Sequence, residues 1–366
     1  MKESAAVGIL KNIKGIKTTV ASDRLDAAEF GGYIDTGSYY LNAACSGTFK
    51  HGLPDNKIMG FFGFSGTYKS LWVMRFAAQW LREGPGRIVI WYDSESATTD
   101  EMMQNMGIDS KRVQRPDINF VEELNIHLSQ FLDEYLKLSS QEQEDSRVMV
   151  VIDSVSQYPS KKELTDAIEG EIKQDMTRAK AWASLFRNVN RRLAKARIPM
   201  LCTSQAMTQI GAYVPTDKPK GAGESLVFAS SIIFQMRKEK MKTVTKGVTE
   251  HVGNIVNILV WKSRFTREGR KVPVAMRFDT ADLDPYFGLI DLALKYGIFK
   301  KSGKMIVTAD GTSAFESHIE KDPKKYFTDD VMAKLEAICA DEFKFGGSTG
   351  GDEDGQVEDT NSHGAN

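Results

Sequence analysis

At 366 residues, with 27% charged and 41% hydrophobic residues, the chain can bury a sizeable core and has the composition of an ordinary globular protein. No stretch approaches about 18 uninterrupted apolar residues, and the segment before residue 20 lacks the apolar centre of a signal peptide, so a cytoplasmic protein without a membrane span is expected. The three cysteines, Cys45, Cys202 and Cys339, have no metal-ligand spacing and cannot all pair, which fits packing residues in a reducing compartment.

Residues 1–45 carry weak signals: a short helix over 23–30 before Gly31-Gly32, and otherwise an arm. Ile58 to Phe62 is an apolar run of strand length. A glycine-bearing turn follows, and then Leu71, Met74 and Ala78 recur at helical spacing. Arg87–Asp93 reads as a buried strand ending in an acid, and Glu123–Leu138 as an amphipathic helix with Leu124, Leu128, Phe131, Tyr135 and Leu138 on one stripe. Val148–Ser154 is a second apolar run closing on an aspartate. Met176–Ala196 is a long helix with Trp182, Leu185, Val189 and Leu193 facing inward, and Pro199–Gln205 a further strand. Strands separated by helices predict an α/β fold, with a mostly parallel twisted sheet covered on both faces. Ser231–Phe234, Ile255–Trp261 and Val272–Phe278 suit a β-meander that finishes the sheet. Beyond residue 283 a small helical lobe is expected (Ile290–Tyr296, Asp329–Ala340). From Ser348 to Asn366 there are five acids and no Lys or Arg, so the rest of a chain of net charge −1 carries +4. This stretch lacks hydrophobic periodicity and reads as a disordered tail, either a solubiliser or a competitor of nucleic acid for basic loops. The expected division is an arm (1–45), a core (46–282), a lobe (283–345) and a tail (346–366).

Strand, loop and helix with Lys-Ser at the helix start is the layout of a phosphate-binding P-loop. Gly63, Phe64, Ser65, Gly66, Thr67 and Tyr68 would cradle phosphates with backbone N–H groups. Lys69 would face the terminal phosphates, and the Ser70 hydroxyl would help hold Mg²⁺. Tyr68 stands where the pattern has its second glycine. Functional groups gather at the C-terminal ends of parallel strands, and there the sequence sets Asp93, Glu95, Asp153 and Gln205. Asp153 suits the acid that orients Mg²⁺, Glu95 the group that polarises an attacking water, and Gln205 a neutral contact to the γ-phosphate; together they favour an ATPase. An acid at a strand end is, taken alone, more often a cap or a loop ion pair. Two linkers follow those strands: 157–172, with Lys161 and Lys162, and 206–223, with Lys218, Lys220, Gly221 and Gly223. Long basic loops suit single-stranded nucleic acid, although surface lysines on a mobile loop are the plainer alternative.

The order of Gly63–Ser70, Tyr92-Asp93-Ser94-Glu95, Val151-Ile152-Asp153-Ser154 and Ser204-Gln205 resembles the RecA family of recombinases. The stretches Asp175–Arg187 and Asp284–Asp291 are similar to its bacteriophage UvsX-like branch, in which an aromatic also replaces the second P-loop glycine. The likeness covers roughly residues 22–300. It implies an ATP- and Mg²⁺-dependent helical filament on single-stranded DNA that pairs it with homologous duplex, in the bacterial host cytoplasm if the gene is a phage's. It implies partners that bind single strands or load the filament. Glu95 is then the catalytic glutamate, Asp153 the magnesium-orienting acid and Gln205 the γ-phosphate sensor, with DNA loops at 157–172 and 206–223. Lys262 and Arg264 correspond to cations that reach a neighbouring subunit's ATP. Where the family stacks an aromatic on adenine, Thr99–Met103 offers none. An accessory protein of the same fold and a hexameric helicase or loader are the alternatives.

Overall fold

The structure is a computed structural model that describes residues 31–169, 176–208, 217–222, 224–245, 248–278, 280 and 283–345. The expected helix at 23–30, Gly223 and the acidic tail lie outside the described residues. The chain divides into two compact units, which among the described residues comprise 31–34 with 54–236, and 35–53 with 237–345. This division differs from the expected one: residues 35–53 join the C-terminal part of the chain, and the boundary expected at 282/283 falls inside the second unit.

The first unit gives the main sheet the strands β1 (Ile58–Gly63), β2 (Ile88–Asp93), β3 (Val113–Gln114), β4 (Val148–Asp153), β5 (Met200–Thr208), β6 (Asp217–Pro219) and the start of β7 (Ile232–Thr245). They lie in the order β7-β1-β5-β4-β2-β3, all parallel, while β6 pairs antiparallel with β5. Parallel strands buried on both faces read as continuous apolar runs, and β4 shows why. Val148, Val150 and Ile152 join a cluster with Leu124, Leu128 and Leu132 of the helix Val121–Tyr135 and with Trp182, Leu185, Val189 and Leu193 of the helix Thr177–Ala196. Met149 and Val151, also buried, alternate to the other face. There the helix Lys69–Arg82 buries Trp72, Phe76 and Trp80, and Phe61 of β1 lies 5.5 Å from Phe76 and 5.2 Å from Phe234 between ring centroids. Burying each such side chain contributes about 1.5–3 kcal/mol, so the sheet that carries the site is anchored from both sides. The helix predicted to run to Leu138 ends at Tyr135, leaving Leu138 exposed, and Leu132 joins the buried stripe.

The second unit holds β8 (Val248–Ser263) and β9 (Lys271–Arg277), antiparallel with Asn254 opposite Met276. It also holds a small antiparallel sheet of β10 (Lys300–Ser302), β11 (Met305–Val307) and β12 (Ser313–Ala314), so the lobe expected to be helical is mixed. Part of the expected arm is a helix, Tyr39–Ser46, capped by Ser38 and ended by Gly47 at φ 77°. Its Ala43, with Phe49, packs in one core with Leu289, Ile319, Leu335 and Phe343. Cys45, Cys202 and Cys339 are all free and buried, and burial pushes their thiols up, as suits packing residues.

Candidate nucleotide and loop site

β1 delivers the chain into the loop at Gly63, where a Cβ would stand 2.6 Å from both the Met236 carbonyl and the Thr67 hydroxyl. The loop then takes two left-handed residues, Gly66 at φ 74° and Tyr68 at φ 67°, ψ 25°, the latter capping the helix Lys69–Arg82. This is the physical reason the pattern has glycine at position 68. A left-handed conformation costs an L-residue roughly 1–2 kcal/mol, and Tyr68 adopts it nonetheless. Lys69 folds back over the loop, its Nζ donating to the Gly63 and Phe64 carbonyls at 3.0 Å each. Burial lowers the Lys69 pKa, while Asp153 and Glu95 act the other way.

The neighbouring strand ends meet this loop in register: Gly63 stands beside Gln205, and Asp93 beside Asp153. Asp153 is 7% exposed and accepts hydrogen bonds from the hydroxyls of Thr203 and Ser70. Burial raises its pKa, the two hydroxyls oppose that shift, and Asp93 and Glu95 reinforce it. A buried carboxylate beside a hydroxyl at a helix start, with further carboxylates near, suits a divalent cation, and Ser70 and Asp153 are the residues that would hold one. Asp93, by contrast, organises the loop. Its Oδ1 accepts from the Glu95 N–H at 3.1 Å, and its Oδ2 accepts from the Thr98 N–H at 3.1 Å and from Arg115 at 2.9 Å. Glu95 is exposed, and its carboxylate accepts from the Ser154 hydroxyl at 3.3 Å. Arg115 and Thr203 escaped the sequence reading; only contact across strands reveals them.

The two linkers also reach these strand ends. The first was expected to be an irregular loop, but Lys161–Glu169 is a helix, with Glu163 N–H donating to the Ser160 hydroxyl at 3.1 Å. Lys162 pairs with Asp166 at 2.7 Å, while Lys161 is exposed. Leu164 and Ile168, 42% and 80% exposed, lie on its outer face. In the second linker β5 continues past Gln205 to Thr208 and pairs with β6, so Lys218 lies within a strand opposite Met207. Lys220 donates its N–H to the Gln205 carbonyl at 2.8 Å, and its own carbonyl accepts from Ser204 at 2.7 Å and Ser156 at 3.1 Å. Gly221, at φ 101°, presses so close to Ser156 that a Cβ would stand 2.5 Å from its Cα. Thus Gln205, Lys220, Gly221 and Ser156 join the polar strand end to the starts of both linkers.

Lys262 and Arg264 fall at the end of β8 and just after it, in the second unit. Glu268 folds back toward them: its carboxylate accepts from the Ser263 N–H at 3.0 Å and acts on Lys262. Burial, then Arg264, lowers the Lys262 pKa, and Glu268 raises it. Thr99 caps the short helix Asp100–Asn105 that follows Glu95, and its exposed large side chain is Met102.

A phosphate-binding loop opening a helix, with acids at adjacent parallel strand ends, defines the P-loop nucleotide-binding class. The chain belongs to the RecA family: the RecA N-terminal domain matches residues 24–281. It is 29% identical over 261 residues to the Recombination and repair protein of Enterobacteria phage T4, covering 71% of this chain and 63% of that protein. It is 27% identical over 294 residues to Protein RecA of Tropheryma whipplei (76% of this chain, 60% of that one). Protein RecA of Malacoplasma penetrans is 22% identical over 308 residues (82% and 86%). The chain therefore spans somewhat under two thirds of the length of the first two relatives.

Proposed function

We propose that this protein is an ATP-dependent DNA recombinase, which assembles as a helical filament on single-stranded DNA and exchanges that strand with a homologous duplex. The observation that carries the proposal is the continuity between a P-loop site and two basic linkers, made through Gln205, Lys220 and Ser156. Gly63 to Ser70 cradle the phosphates of ATP, with Lys69 as the cation at the terminal phosphate. Mg²⁺, when bound by Ser70 and Asp153, supplies charge neutralisation. Glu95 orients the attacking water and accepts its proton, and Gln205 contacts the γ-phosphate. Loss of that contact moves the carbonyl that Lys220 bonds, so the phosphate state reaches the linkers. Lys161, Lys218 and Lys220, with the backbone at Gly221 and Gly223, hold the DNA strand; Lys162 joins them only by leaving Asp166. Lys262 and Arg264 serve a neighbouring subunit's ATP, and single-strand-binding and loader proteins are the expected partners.

Negative-stain microscopy with single-stranded DNA and a slowly hydrolysed ATP analogue, combined with a DNA-stimulated ATPase assay, tests the proposal. Helical filaments and DNA-dependent hydrolysis are expected. Lys69→Ala should cost at least about a hundredfold in turnover, the scale of removing a donor to transition-state charge. Closed rings would point to a helicase or loader, and neither rings nor filaments to an accessory protein. Near-normal turnover in folded Lys69→Ala would sink the P-loop assignment.

A further inference from the structure

A cavity of about 310 Å³ is lined wholly by residues of the second unit, none of them a candidate nucleotide- or DNA-binding residue. Its wall includes the aromatic rings of Tyr286 and Phe327 and the carboxylates of Asp284, Asp291, Glu316 and Glu320. The chain before the helix Leu289–Lys295 brings Asp284, the first turn of that helix brings Asp291, and the helix Glu316–Lys321 brings the others. Asp284 and Asp291 bound the stretch singled out in the sequence for its branch likeness, which the nucleotide site leaves unused. Lys240 is the one cation on the wall among the described residues, so four carboxylates against one ammonium leave an excess of three negative charges.

These acids are poorly explained as structural ones. Asp284 accepts the Tyr286 N–H at 2.9 Å, a turn contact. Among the described residues Asp291, Glu316 and Glu320 make no side-chain hydrogen bond or ion pair. They act instead on one another: burial, and then Glu316, Asp284 and Asp291, raise the Glu320 pKa. Like charges gathered without partners cost stability, and a cation placed among them reverses the sign of that cost. Aromatic rings on the same wall add a second attraction for a cation that reaches their faces. The negative field repels phosphate, so DNA is not the occupant. The size stands at the lower end of the roughly 300–1,000 Å³ usual for ligand sites, enough for one or two side chains rather than a whole helix. Met241 and Ile255, half-buried on the same wall, offer contact to an apolar neighbour, which a polyamine lacks.

We propose that this cavity is a docking site for a basic side chain, arginine or lysine flanked by an apolar residue, carried on a segment of a partner protein. The full chain should be titrated with a capped peptide of alternating leucine and arginine, and with the same peptide carrying neutral, isosteric citrulline. The arginine peptide is expected to bind, and the citrulline peptide to bind at least about tenfold more weakly, as loss of a charge-assisted contact implies. A Glu320→Gln/Asp291→Asn variant should lose about as much affinity and melt no lower than the parent, because it relieves repulsion. The proposal is overturned if neither peptide binds, if citrulline binds as well as arginine, or if the variant keeps full affinity. It is equally overturned if spermidine binds as tightly as the arginine peptide, if the parent self-associates through carboxylates that the variant lacks, or if the variant melts lower. None of these readouts depends on ATP turnover, so they stand apart from the test of recombinase function.

Discussion

Tyr68 occupies a left-handed position at the start of the P-loop helix, where a side chain is tolerated at a cost. Tyr68→Gly should remove that strain and pay a similar amount in chain entropy, leaving stability within about 1 kcal/mol of the parent. Tyr68→Val puts a β-branched residue at the same φ and should be at least about 1 kcal/mol less stable than the glycine variant. Urea denaturation of both checks this, and equal midpoints would mean the loop relaxes out of the left-handed region. Asp93 poses a different question, because its carboxylate holds the loop that presents Glu95 through two N–H groups and Arg115. Asp93→Ala should lower kcat about tenfold or more with little change in KM, since phosphate contacts stay while the water-activating group loses its position. A rise in KM at constant kcat would show instead that the loop serves nucleotide affinity.

At the scale of elements, the sheet was legible because each of its parallel strands near the site is an apolar run that ends in glycine or a polar residue. The ends of β1, β2 and β4 fall within one residue of those read from sequence. β5 was read three residues short: its end lies outside the core and is held by pairing with β6, a long-range fact with no local pattern. The helix Lys161–Glu169 is amphipathic the wrong way round, with Leu164 and Ile168 outward, so burial periodicity was no guide. Its start did carry a signal, the Ser160-x-x-Glu163 capping pattern, realised by hydrogen bonds at 3.1 and 3.4 Å. The strands of the small sheet, two or three residues each, are too short for any alternation to show. Candidate site residues at strand ends were legible for the same reason the strands were, whereas Arg115 and Thr203 are defined only by folding. The join between the linkers yields a prediction of its own. Gly221→Ala sets a Cβ against Ser156 at a φ of 101°, so either the backbone shifts or the contact breaks. Basal ATP turnover should stay within about threefold while stimulation by single-stranded DNA falls about tenfold or more, since the added Cβ meets Ser156 and Val155 rather than the P-loop, Asp153 or Glu95. Equal loss of both activities would show that the change unfolds the site rather than uncoupling it.

At the scale of the whole molecule, the proposal requires that a single chain be incomplete. Glu95 lies at the strand ends of the first unit, and Lys262 and Arg264 lie in the second. Lys262 and Arg264 lie near enough to act on one another, Arg264 lowering the Lys262 pKa and Glu268 raising it. Two such cations suit the stabilisation of charge developing on a phosphate held by another copy of the chain. A Glu95→Gln protein and a Lys262→Ala/Arg264→Ala protein should each be nearly inactive on DNA, for opposite reasons. Mixed equally and at random, about one interface in four should join an intact Glu95 to intact cations from the neighbour, and hydrolysis should return toward about a quarter of the parent rate. Light scattering and microscopy establish that the two variants share filaments. Mixed filaments that remain inactive would mean that the cations act on their own chain's nucleotide or only on its surface. Activity restored without co-assembly would remove the subunit interface from the mechanism altogether.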